Sequence, residues 1–154
     1  MKNNKYYRVY AEINLDAIVK NVDNLMALTK ENTGALAVVK ADGYGHGDVA
    51  VAKAVAQKVT GYAVATLDEA VNLRENGVKK PILVLGYVDP YEFDILVSHE
   101  ITATVFDVET AQLLADAARV QKKQAHCHIK VDTGMRRIGL EPDENGIAIV
   151  KQIT

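Results

Sequence analysis

The sequence predicts an α/β fold built on a parallel sheet. Three observations lead there. Short apolar runs recur at residues 35–39, 62–65, 82–85, 101–105 and 125–131. Between them lie segments whose apolar residues fall three and four apart, the spacing of a helix with one buried face. The runs at 35–39, 62–65 and 82–85 are apolar at consecutive rather than alternate positions, so both faces of the sheet need cover, and crossover helices provide it. Regular βα units of this length predict either a barrel or a doubly wound sheet. Both open functional sites at the carboxyl ends of strands.

Taken in order, residues 8–13 alternate and are rich in Tyr, Val and Ile, which reads as a strand. Asn14 can cap a helix running to about Lys30, with Leu15, Ile18, Val22, Leu25 and Leu28 on one face. Asn32-Thr33-Gly34 ends it, and residues 35–39 follow, too apolar for an edge strand. A helix is expected from Asp48 to Lys58, then a buried strand from Tyr62 to Ala65. Thr66-Leu67-Asp68-Glu69 has the form of a capping box and starts a helix to Glu75, with Gly77 behind it. Ile82 to Leu85 is the next strand, and Asp89-Pro90 opens a short helix to about Ser98. Asp107 can cap a long helix to about Lys123, placed between strands at Ile101–Val105 and Ala125–Val131. Glu141-Pro142-Asp143-Glu144 reads as a further helix start. Thr154 comes about two turns later, as if the chain were cut inside a larger fold.

Composition narrows the function. A length of 154 residues fits one domain, and 49% apolar with 25% charged residues is ordinary for a globular chain. A net charge of -2 gives no electrostatic case for nucleic acid or an anionic membrane. Cys127 is the single cysteine, which excludes an internal disulfide and a Cys-rich zinc site. No run approaches the roughly 20 apolar residues of a membrane span. The basic start Met1-Lys2-Asn3-Asn4-Lys5 has no apolar stretch behind it, so no signal peptide is expected and a cytoplasmic setting is.

Two junctions hold the chemistry. Lys40 ends the apolar run Leu36-Ala37-Val38-Val39 and is followed by Ala41-Asp42-Gly43-Tyr44-Gly45-His46-Gly47. An amine on a buried strand end is a good nucleophile or base when its surroundings keep it neutral. The plain alternative is a tight surface turn bearing a solvated lysine. The glycines alternate, so neither the dinucleotide fingerprint nor the phosphate loop is present. His46 lacks a partner at metal-ligand spacing, and holding the turn is its simplest role; no metal is expected. The second junction is Lys130-Val131-Asp132-Thr133-Gly134-Met135-Arg136-Arg137-Ile138-Gly139. There Arg137 offers the bidentate fork that grips a carboxylate, Asp132 and Thr133 shape a turn, and Met135 is expected to pack. Tyr10, Tyr62, Tyr87 and Tyr91 are expected to pack in strands and turns.

The segment Ala37-Val38-Val39-Lys40-Ala41-Asp42-Gly43-Tyr44-Gly45-His46-Gly47 closely resembles the pyridoxal-phosphate attachment segment of bacterial alanine racemases. The Lys130–Gly139 segment and the Ala11-Glu12-Ile13-Asn14-Leu15-Asp16 opening resemble two further segments of that family, in the same order. The chain would be about the first two-fifths of such an enzyme. The resemblance implies a (β/α)₈ TIM barrel of which residues 15–154 supply the first five strands. Residues 1–14 would be a strand segment belonging to a β-rich second domain. It implies pyridoxal 5'-phosphate on Lys40 as catalytic amine, Tyr44 near the cofactor phosphate, and Arg137 touching both cofactor and substrate carboxylate. Lys130 matches a lysine that is often carbamylated, as N6-carboxylysine. The implied protein is a homodimer interconverting L- and D-alanine for cell-wall peptidoglycan; the 154 residues alone are expected to be inactive. Alternatives within the same resemblance are a serine/alanine racemase and a non-catalytic pyridoxal-phosphate-binding barrel. The family usually has a small residue, often glycine, where this chain has Arg136.

Overall fold

In the computed structural model of the protein, which describes residues 9–154, five strands form one parallel sheet. They are β1 (Leu36–Val38), β2 (Gly61–Val64), β3 (Ile82–Val84), β4 (Thr102–Val105) and β5 (His126–Ile129), ordered β1-β2-β3-β4-β5. Neighbours in space are neighbours in sequence. A doubly wound sheet reverses its order at a switch point to place helices on both faces. This sheet never reverses, and right-handed crossovers then place every connecting helix on the same face. Of the two expected architectures, the structure is therefore five consecutive strands of a barrel wall.

Strand register separates the two faces. Val38, Ala63, Leu83, Thr102 and His126 lie side by side in one row. Ala37, Tyr62 and Ile82 share the other face with Val64, Val84, Ala103 and Val105. That second face packs into the hydrophobic core against α3 (Asp48–Ala54), α4 (Leu67–Glu75), α5 (Phe93–Ser98) and α6 (Val108–Val120), through Val51, Leu73, Leu96 and Leu114. The first face has no helix on it and is the barrel's inner wall. Mid-sheet, Ala63 and Leu83 are still buried. At the margins Leu36 and Val38 are each 41% exposed, and His126 and His128 are exposed too. β1 is thus an edge of the described sheet, contrary to the expectation drawn from its apolar sequence. Its apolar inner side belongs to a wall rather than to a finished edge.

The helix starts follow their caps. Asn14 Oδ1 accepts from the Ala17 N–H at 3.0 Å to begin α1 (Leu15–Met26). Asp107 Oδ1 accepts from Thr110 N–H at 2.6 Å, and Asp143 Oδ1 from Gly146 N–H at 2.7 Å ahead of α7 (Glu144–Ile153). Two helices stop early, α1 at Met26 rather than Lys30 and α3 at Ala54 rather than Lys58. Leu25 and Leu28 are largely exposed, so nothing is buried that would pull the last turn of α1 into register. Of the expected N-terminal strand, residues 1–8 lie outside the described residues and residues 9–13 form no strand. Tyr62 is buried, its hydroxyl donating to the Ala52 carbonyl at 2.6 Å. Tyr87 packs one side of its ring against Phe106, centroids 6.4 Å apart, while staying about half exposed, and Tyr10 and Tyr91 are exposed rather than packed. Among the described residues no helix is long and apolar enough to cross a membrane.

Candidate active site

Lys40 follows Val39, which is buried and whose N–H extends the sheet to the Ala63 carbonyl at 2.9 Å. The strand ends at Val38, and Val39, at φ -121° and ψ 23°, has already left the extended conformation. Lys40 stands just past the carboxyl end of β1, where it is half-buried. The expected glycine-rich turn is a short left-handed helix, α2 (Lys40–Gly45). Ala41, Asp42, Gly43 and Tyr44 have φ of 52, 54, 60 and 57°. For an L-residue this conformation costs roughly 1–2 kcal/mol. Its three non-glycine residues, Ala41, Asp42 and Tyr44, hold it only because the surroundings fix them.

Those surroundings are identifiable. Glu69 Oε1 accepts from the Ala41 N–H at 2.7 Å, while its Oε2 accepts from Ala65 N–H at 2.7 Å and Thr66 N–H at 3.3 Å. Asp42 Oδ1 accepts from Asp48 N–H at 3.1 Å, and buried Asp48 Oδ2 accepts from Asn72 Nδ2 at 2.9 Å. His46 Nδ1 sits 3.0 Å from the Gly43 carbonyl and 3.1 Å from that of Tyr44. Both partners are acceptors, so Nδ1 bears the hydrogen, and His46 holds the turn as its sequence context implies. Gly43 is buried, and a Cβ there would come within 3.2 Å of Asp48 N. Its lack of a side chain serves the chain's own close approach rather than a ligand's. Tyr44 is 59% exposed, and its ring centroid lies 6.0 Å from Lys40 Nζ.

The other junction is built on β5. Lys130 N–H donates to the Val105 carbonyl at 2.8 Å, which carries the pairing with β4 one residue past Ile129. Alternation from His126 and His128 puts Lys130 on the inner face of the sheet. Asp132 N–H donates to Leu140 O at 2.8 Å, and Leu140 N–H to Lys130 O at 2.9 Å, closing a loop over residues 132–139. Within it Asp132 Oδ1 accepts from Gly134 N–H at 2.8 Å and Arg136 N–H at 3.0 Å. A Cβ on Gly139, at φ 128°, would meet Asp132 N at 2.8 Å, so only glycine closes this loop. Met135 is 78% exposed, contrary to the packing expected of it; the closed loop points it away from any apolar partner. Arg136 has a φ of 53°, the conformation in which a glycine is at ease, and both Arg136 and Arg137 are exposed.

The backbone N–H donors of Arg136 and Gly134 hold the Asp132 carboxyl below the usual carboxylate range. A carboxyl lowered on folding gives its full support above its unfolded pKa of about 4 and loses it as pH falls through the still lower folded value. The loop is therefore expected to stay ordered at neutral pH and loosen only in acid below that value. Amide exchange at Gly134 and Arg136 across an acid titration checks this. Asp132→Asn should loosen the same amides already at neutral pH.

The structure thus groups Lys40 with Tyr44 at one side of the carboxyl rim, and puts Lys130 and the Arg137 loop at the strand four places on. In an eight-stranded barrel those two strands face each other across the interior. With that geometry in place, comparison with known proteins is informative. The family model described as "Alanine racemase, N-terminal domain" matches residues 13–154. The chain belongs to the alanine racemase family. The alanine racemase of Desulforamulus reducens is 44% identical over 146 residues, covering 94% of this chain and 40% of that protein. Alanine racemase 1 of Bacillus subtilis is 46% identical over 147 residues, covering 94% of this chain and 37% of its own length. Among solved structures, the Clostridium difficile alanine racemase superposes with a TM-score of 0.84 at 39% identity, over 91% of this chain and 36% of that one. A histidine racemase from Leuconostoc mesenteroides gives 0.81 at 29% identity, over 90% and 37%.

The chain spans about two-fifths of the length of the alanine racemases it matches. Sequence reasoning found the racemase-like lysine turn but not what holds it. Glu69 was legible only as the last residue of a capping box. That box is present, with Thr66 Oγ1 accepting from Glu69 N–H at 3.4 Å. The second use of the same carboxylate, 28 residues back at Ala41, has no local signature.

Proposed function

We propose that this chain is the cofactor-bearing barrel half of a pyridoxal-phosphate-dependent amino-acid racemase, acting on alanine and supplying D-alanine for peptidoglycan. The observation that supports this most is Lys40: a half-buried residue bearing a primary amine at the carboxyl end of a strand, followed by a strained, braced turn in a chain of the alanine racemase family. The residues present fit the cofactor on this side. Lys40 Nζ is the primary amine that attaches it. Tyr44, at 6.0 Å, brings an exposed hydroxyl and ring beside it, and Gly45 has no atom within 4 Å of where a Cβ would stand. When bound, pyridoxal phosphate supplies an electron sink that makes a substrate α-proton acidic enough to leave.

The chain's own residues do the rest. Lys40 Nζ, at the carboxyl end of β1, takes or returns that proton on one face. Arg137 pairs its planar fork with the substrate carboxylate and so fixes the direction of the Cα–H bond. Lys130, on the inner face near two arginines, attracts them rather than repels them if carbamylated. Racemisation needs a second acid–base group opposite Lys40, which belongs to the partner subunit of a cytoplasmic homodimer in this reading. The histidine racemase neighbour indicates that this half of the barrel is compatible with more than one substrate side chain, which leaves a serine/alanine preference open to assay.

Replacing the matched segment of the Bacillus subtilis alanine racemase 1 with residues 1–154 tests the proposal. The chimera is expected to racemise alanine. A folded chimera that captures cofactor at Lys40 yet leaves alanine unchanged would favour the non-catalytic binder.

A further inference from the structure

We propose that Glu69 is a positioning residue for Lys40. It rests on the reading of Lys40 as the cofactor-bearing amine and deepens it. The left-handed turn begins at Ala41, the residue bonded to Lys40, and Ala41 N–H donates to Glu69 Oε1 at 2.7 Å. The other oxygen takes Ala65 N–H at 2.7 Å, at the carboxyl end of the neighbouring strand β2. One carboxylate therefore spans two adjacent strand ends, fixing the peptide after the lysine against β2. Three residues on along α4, Asn72 donates to Asp48 Oδ2, and Asp48 N–H donates to Asp42 Oδ1. The same face of α4 thus holds the turn at Ala41 directly and at Asp42 through one intermediary.

The chemistry favours a carboxylate at this position. It is acceptor-only, and two oxygens can each take a backbone N–H from a different strand. A charge-assisted bond of this type is among the stronger ones in a protein. It offsets part of the cost of the left-handed non-glycine residues Ala41, Asp42 and Tyr44. Without it, Ala41 is free to relax toward ordinary backbone angles, and the Cα of Lys40 turns with it. Glu69 makes no contact with a reacting atom, and its effect on Lys40 is transmitted through one peptide unit.

The test uses the chimera of Bacillus subtilis alanine racemase 1 carrying residues 1–154, with this chain unaltered and in three variants of it. In Glu69→Gln the amide keeps one acceptor, and its NH₂ confronts an N–H. In Glu69→Asp the carboxylate is too short to span both strand ends. Thr66→Ala removes the helix cap but leaves both Glu69 oxygens their partners. Amide exchange at Ala41 is expected to quicken about tenfold or more in both Glu69 variants, from loss of one charged hydrogen bond, and to change little in Thr66→Ala. Pyridoxal phosphate trapped on lysines by borohydride and located by peptide mass should fall at Lys40 in the Glu69 variants, relative to Lys80, at a temperature where all are folded. Equal loss in Thr66→Ala would mean simple destabilisation and overturn the proposal. Unchanged Ala41 exchange, or faster exchange with undiminished capture at Lys40, would overturn it as well. Absence of capture at Lys40 in the unaltered chain would instead overturn the reading of Lys40, and the positioning role with it.

Discussion

Lys40→Ala is expected to remove cofactor capture at this position altogether, and to lower the racemase rate of the chimera by about a thousandfold or more, since a positioned general base alone supplies 10²–10⁴. Lys40→Arg is expected to do the same. Arginine keeps the positive charge and much of the length, but its guanidinium stays protonated and cannot act as a neutral primary amine. Neither change should cost much stability. Nζ stands 6.0 Å from the Tyr44 ring and takes part in no ion pair among the described residues. The two readouts therefore separate: unfolding midpoints stay near the unaltered chain while capture, read by peptide mass after borohydride, disappears. A Lys40→Ala chimera that racemises alanine at a comparable rate would remove the central residue from the mechanism.

The fold was legible where local chemistry decides. Asn14, Thr66, Asp107 and Asp143 begin helices because each offers a side-chain oxygen to a free N–H, a signal contained in a few consecutive residues. The five strands were legible from their apolar runs, but barrel and doubly wound sheet were not separable from them. Strand order decides that, and it is written in contacts between residues 20 or more apart, such as Ala63 with Leu83. Lys40 and Lys130 could be placed at strand ends by counting, and period-two alternation along β5 now puts Lys130 on the inner face. The left-handed turn was beyond such counting. Ala41 and Tyr44 have no preference for it, and it exists through Glu69, Asp48 and Asn72, which are distant in sequence. Met135 went the other way: an apolar side chain predicts packing, but the loop closed by Asp132 and Gly139 exposes it. Arg136 stands where the family often has glycine, and its φ of 53° accounts for the family's choice. The structure does not explain why this chain accepts arginine there.

Arg74 carries the largest stability effect expected outside the site. It lies in the last turn of α4, and its guanidinium reaches four backbone carbonyls. Nε donates to His99 O at 2.9 Å, Nη1 to Val78 O at 2.7 Å and Lys80 O at 3.1 Å, and Nη2 to Glu100 O at 2.9 Å. These carbonyls belong to the segments entering β3 and β4, so one side chain ties the end of a helix to two strand starts at the amino rim of the barrel wall. Burial pulls the guanidinium below the usual arginine range, with Glu100 opposing the shift, yet arginine stays protonated and keeps all its donors. Arg74→Met preserves most of the stem and removes every donor. The expected cost is about 3 kcal/mol or more, because partly buried carbonyls lose charge-assisted partners that water replaces only in part. Arg74→Lys should recover little, since a single ammonium cannot span carbonyls that the planar fork reaches in four directions. Urea unfolding midpoints at neutral pH measure both. The amino rim lies at the opposite end of the strands from Lys40, so capture of cofactor per folded molecule should be unchanged below the transition. A midpoint shift worth less than about 1 kcal/mol would place Arg74 among ordinary surface side chains, whose replacement usually costs under about 0.5 kcal/mol. The joining of β3 and β4 would then rest on strand pairing and core packing alone.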